Sequence, residues 1–108
     1  MSAAAGSSVT APELEVPSEK TLVYAARIGI ERDMPIMLDY YNDTRDGRAF
    51  LGEDGGTKEK MLVRSEEEYT SPIAKILKVD EDFIVITENS IYVVSRNIKK
   101  RTISTPTA

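Results

Sequence analysis

Four groups of residues have types and spacing that could do chemistry. Asn42-Asp43-Thr44-Arg45-Asp46-Gly47, with Glu53 at the twelfth place, sets oxygen-bearing side chains at part of the spacing of a twelve-residue calcium loop. Asn stands where that loop has Asp, Thr holds the third place, and the flanks read as strands where the motif needs helices. An Asp-Gly hairpin turn accounts for the same residues and is the preferred reading. Asp39 with Asp43 or Asp46 forms a second group, since paired carboxylates can split their pKa values and exchange protons with a substrate. The acidic run Glu66-Glu67-Glu68 beside Tyr69, with Pro72 beyond, reads as a solvated loop that, as a site, would dock a basic partner. The fourth group is Arg96, Lys99, Lys100 and Arg101, followed by Thr102 and Ser104. It reads as a solubilising tail, and it is where a contact to phosphate, nucleic acid or anionic lipid, a nuclear address or modification by a basophilic kinase would be placed.

Composition narrows what these groups can do. The chain has no cysteine, which removes disulfides, thiolate metal sites and cysteine nucleophiles and favours an intracellular setting. It has no histidine, so the commonest general base and transition-metal ligand are missing too. Catalysis would have to run on carboxylates, Lys, Tyr, Ser or Thr. A net charge of −4 disfavours binding of nucleic acid by the domain as a whole, because counterion release needs a basic surface. Gly52, Gly55 and Gly56 are not followed by Gly-Lys-Ser/Thr, so they make no phosphate-binding fingerprint. Tyr24, Tyr40, Tyr41, Tyr69 and Tyr92 fit core or rim positions better than base-stacking ones. No catalytic residue, cofactor or metal ligand is assigned. Met1 to Thr10 lacks a basic and apolar leader, and no apolar run reaches membrane-spanning length, so a cytoplasmic location, a nucleus or the inside of a particle is expected.

The elements that must carry these groups fit one small domain, since 108 residues with 41% hydrophobic and 30% charged content can bury a single modest core. Residues 1–17 are poor in large apolar groups and read as a flexible arm, although Leu14-Glu15-Val16 could add to a sheet edge. Ser18 can cap a helix in which Leu22, Val23, Ala26 and Ile30 recur at helical spacing, ended by Asp33-Met34-Pro35. Ile36 to Tyr41 alternates like a strand, a turn follows at Asn42 to Gly47, and Arg48 to Leu51 returns. Gly52 to Gly56 reads as a second turn before Lys58 to Arg64. The clearest pattern is Ile73 to Val79, Phe83 to Thr87 and Ile91 to Ser95, joined by links of hairpin length and so sequential antiparallel neighbours. Phe83-Ile84-Val85-Ile86 is apolar on both faces, so it should lie centrally, covered by the helix on one side and by a curled sheet or a partner on the other. The predicted fold class is α+β: one N-terminal helix on a mostly antiparallel meander or small curled barrel of five to six strands, spanning 18–98, with a basic, Ser/Thr-bearing flexible tail at 99–108.

Three stretches, Asp33-Met34-Pro35-Ile36-Met37-Leu38-Asp39-Tyr40, Glu68-Tyr69-Thr70-Ser71-Pro72-Ile73 and Ile86-Thr87-Glu88-Asn89-Ser90-Ile91-Tyr92, resemble small uncharacterised proteins of large DNA viruses. The resemblance carries no known active residue. It implies a structural or host-interaction role in an infected cytoplasm or a virion. The expected function is therefore non-enzymatic: an interaction or structural module that self-associates or binds a protein through a sheet edge or the two-faced strand. A small domain binding nucleic acid or another phosphate-bearing ligand through the basic end is the alternative, and a carboxylate enzyme the third.

Overall fold

A computed structural model describes residues 15–103, so most of the N-terminal arm, and the basic end's Ser104, lie outside the described residues. Ser18 opens the first helix, α1 (Glu19–Arg32): its extended backbone (φ −65°, ψ 157°) lets Oγ accept from the Thr21 amide at 3.1 Å. The helix stops where Asp33 takes a left-handed φ of 56° and the Met34 N–H donates to Gly29 O at 3.0 Å. Pro35 then blocks continuation. This is the helix its capping residues predict, but rotated about its axis. Thr21, Ala25 and Ile28 are buried, whereas Val23, Ala26 and Ile30 face outward.

The next stretch departs from expectation. Only Ile36–Met37 forms a strand, β1, and Tyr41–Asp46 coils into a short helix, α2, closed by Gly47 at φ 83°. The predicted hairpin turn at Asn42 to Gly47 is thus a helix and its left-handed end. The remaining strands are β2 (Phe50–Asp54), β3 (Lys60–Val63), β4 (Ile73–Val79), β5 (Asp82–Thr87), β6 (Ile91–Ser95) and β7 (Lys99–Ile103). Tertiary anchoring overrides strand propensity in α2: Thr44 Oγ1 donates to Tyr41 O at 2.7 Å and accepts from the β6 residue Ser95 at 3.0 Å, fixing the turn of helix on the sheet.

Two open sheets replace the predicted single meander or barrel. The first has the order β1-β6-β5-β4, with β1 parallel to β6 and the rest antiparallel. The second has the order β3-β2-β7, with β2 antiparallel to β3 and parallel to β7. The three C-terminal runs pair sequentially as their spacing indicates, β4 turning into β5 through Asp80 and Glu81 with Asp80 at φ 53°. Lys99–Ile103, expected to open a flexible tail, is instead a full strand in register with Phe50–Asp54. Its anchors are Ile103, which lies over Gly52, and Arg101, whose guanidinium stacks 4.8 Å above the Phe50 ring. Gly52, expected in a turn, sits inside β2 because this packing leaves no room for a side chain: a Cβ would stand 2.8 Å from Ile103 Cδ1 and 3.0 Å from Val63 Cγ2.

Helix α1, the first sheet and the second sheet stack as three layers around β5. Ile84 and Ile86 point toward α1, meeting Ala25, Ile28, Tyr41, Ile91 and Val93. Val85 points the other way, with Tyr40, Ala49, Leu51, Leu62, Val94 and Ile98. The two-faced apolar pattern of β5 therefore marks a strand covered by the helix on one side and by the second sheet of the same chain on the other.

Candidate functional site

The most enclosed acidic group among the described residues is Asp82, 1% exposed at the start of β5. Its Oδ2 accepts from Thr21 Oγ1 at 2.7 Å and from the Ser18 amide at 3.1 Å, and its Oδ1 accepts from the Tyr41 hydroxyl at 2.7 Å. Ser18 Oγ also lies 2.8 Å from Asp80 Oδ2 and 2.8 Å from Thr21 Oγ1. One carboxylate thus joins the capped end of α1, the first residue of α2 and the β4–β5 hairpin. Asp80-Glu81-Asp82 reads in sequence as a polar link, and nothing local distinguishes the inward third acid from its two exposed neighbours. The chemistry of the cluster is that of a rivet. Burial, and then the hydrogen bond to Asp82, push the Tyr41 hydroxyl well above the ordinary tyrosine value, so it stays a donor at neutral pH.

Tyr41 therefore contributes stability that is complete below the unfolded tyrosine value and is lost as pH rises through its own raised value. Tyr40 and Tyr92 are raised as well, each mainly by burial. Absorbance titration of wild type and Tyr41→Phe should differ by one tyrosine that ionises last, together with alkaline unfolding. Loss of a tyrosine from the earliest part of the titration would show that the hydroxyl is not held by Asp82.

Arg64, at the end of β3, organises a second cluster. Its Nε meets Asp43 Oδ2 at 3.0 Å, Nη1 meets Glu68 Oε2 at 2.9 Å, and Nη2 donates to the Asp39 carbonyl at 2.7 Å. The guanidinium lies 4.2 Å above the Tyr40 ring, which packs edge-on against Tyr92. The carboxylates that could have formed an acid/base pair are thereby committed to cations: Asp39 and Asp43 to Arg64, and Asp43 and Asp46 to Arg48. Glu68 of the acidic loop is fastened to the same arginine, while Glu66, Glu67 and Tyr69 remain exposed.

The other candidates are dispersed. Asn42 exchanges hydrogen bonds with the Glu15 backbone and accepts from Arg45, and Glu53 lies on β2, so no calcium loop forms. Among the described residues no three acids are grouped to hold a metal. Glu15 is tied to α2 by that exchange and joins no sheet edge; Leu14 lies outside the described residues. Of the basic set, Arg96 pairs with Glu81 at 3.0 Å and Lys99 packs by Gly47 at the end of α2. Strand alternation puts Lys99 and Arg101 on one face of β7 and Lys100 on the other. The four cations do not converge.

What remains is a surface whose residues recur at helical spacing in the sequence and which the fold leaves outside. Val23 and Ile30 are 50% and 82% exposed, and with Ala26 they form an apolar stripe at helical spacing on α1. At 100° per residue this stripe lies opposite the buried Thr21, Ala25 and Ile28. Tyr24, 47% exposed, borders a shallow depression formed with Glu19, Lys20, Val23 and Arg27. No helix among the described residues is long and apolar enough to cross a membrane. Compared with known proteins, the chain matches no family model, no curated protein and no solved structure.

Proposed function

We propose that this protein is an interaction module that presents the outer face of α1 to a protein partner. The observation that carries the reading is the pair of opposed apolar faces on one helix, of which the described residues cover only one. A helix apolar on both sides is ordinarily buried on both, and exposed apolar residues grouped on one element mark interaction surfaces. The two routes expected from sequence are less suited. Both faces of β5 are filled from within the chain. The edges carry features that deter strand addition: β4 has a register shift between Ile73 and Lys75 and the exposed Lys75 and Lys78, β3 is already bridged at Val63 by Tyr69, β7 has Lys99 and Lys100, and β1 is two residues long. The reading assigns no catalysis, and the resemblance to small proteins of large DNA viruses is consistent with a partner in the host cell or the virion.

The test is site-specific photocrosslinking of the full chain in an extract of its native source. A photoreactive residue replacing Ile30 should give an adduct of defined mass that disappears in the presence of Val23→Asp. The same group replacing the exposed Glu88, on the β5–β6 link, should give none. Equal labelling from both positions, or none from Ile30, would remove the proposal.

A further inference from the structure

The stripe on α1 is bordered unequally. Lys20 and Arg27, seven positions apart and so on one flank, are both exposed, and neither side chain has a hydrogen bond or ion pair among the described residues. The opposite flank holds Leu22 and Gly29, half-buried and uncharged. Glu19 lies on the stripe at its N-terminal end, and Glu31 follows Arg27 by one turn on the same flank, so that flank carries two cations and one acid. Unpaired cations beside an apolar seam are the arrangement by which paired helices select their partners through flanking charges.

The geometry points to an acidic amphipathic helix of another protein as the occupant of this face, an inference that rests on the interaction reading above. Such a helix would lay its apolar residues on Val23, Ala26 and Ile30 and set carboxylates seven residues apart against Lys20 and Arg27. A second copy of this chain fits less well. In an antiparallel pair of α1 helices like flanks meet, so Lys20 can meet Glu31 but Arg27 faces its own counterpart; in a parallel pair Lys20 and Arg27 meet Leu22 and Gly29, which offer no charge. The 14 residues of α1 span about 21 Å, so a partner helix of similar length covers the stripe completely.

The test uses two labelled synthetic peptides of about 18 residues, roughly five helical turns, with the same leucine stripe and either glutamates or lysines along its flanks. The glutamate peptide should bind the full chain at least about tenfold more tightly than the lysine peptide, from charge pairing of ordinary size. Backbone amide shifts should be confined to α1. The double variant Lys20→Glu/Arg27→Glu should reverse the order of affinities, and Ile30→Asp, at an exposed position, should abolish binding of both with the circular dichroism unchanged. Equal or tighter binding of the lysine peptide would overturn the acidic partner while leaving the interaction reading intact. Sedimentation showing a dimer that Ile30→Asp dissociates would assign the face to a second copy and overturn it as well. Failure of both peptides to bind would also overturn the acidic-helix assignment, and the crosslinking result at Ile30 would decide separately whether any protein uses this face.

Discussion

Replacing Asp82 by alanine is expected to destabilise the fold by about 3–5 kcal/mol, measured as a fall in the urea midpoint at neutral pH. The size follows from what is left behind. The Tyr41 hydroxyl and the Ser18 amide lose their acceptor inside the protein, each at a cost of about 1–3 kcal/mol, while Thr21 Oγ1 can still turn to the Val79 carbonyl 3.2 Å away. Tyr41→Phe removes a single donor and should cost about 1–2 kcal/mol. Asp82→Asn should fall between the two, because the amide oxygen keeps one acceptor and the NH2 group meets a donor. If Asp82→Ala proved no worse than Tyr41→Phe, Asp82 would not be the common acceptor for three elements.

The contrast between this residue and its surroundings shows where sequence information is strong. The β4-β5-β6 meander is legible because alternation, apolar content and link length all state the same pairing, and the pairing is local. The ends of α1 are legible because capping chemistry is local too, in Ser18 and in Asp33-Met34-Pro35. The face that α1 buries is not, because Val23, Ala26 and Ile30 make a better apolar stripe than Thr21, Ala25 and Ile28, and only the covering sheet selects between them. Tyr41–Asp46 is composed of strand and turn formers and becomes helical through a bond from Thr44 to Ser95, 51 residues away. Lys99–Ile103 has the composition of a solvated tail and becomes a strand only because β2 is beside it. Arg64 gave no signal beyond ending a strand, since the acids that meet it come from two other segments.

Ile84→Ala should cost about 3–4 kcal/mol, the range for a large aliphatic side chain removed from a filled site, since Ile84 is 0% exposed between α1 and the first sheet. Val85→Ala, one residue along and in the other layer, should cost about 2 kcal/mol. Ile76→Ala on the edge strand, already 36% exposed, should cost less than about 1 kcal/mol. Because β5 belongs to both layers, the circular dichroism of α1 and the fluorescence of Tyr40 and Tyr92 between the sheets should be lost in one transition in every variant. Separate transitions for the two signals would mean that the layers fold independently and that the shared strand does not couple them.

The parallel pairings make the chain indivisible. Ile36 is joined to Ile91 and Phe50 to Lys99, so each sheet is completed by strands from distant parts of the sequence, and neither half of the chain contains a finished layer. A fragment cut after Ile98 would keep the meander but reduce the second sheet to the β2–β3 ribbon, and two strands alone are marginal in water. It would also strip the cover from Gly52, whose missing side chain is sized for Ile103. The folded unit therefore extends through Ile103, and a shortened protein made to test the basic end would lose a structural strand along with its charges.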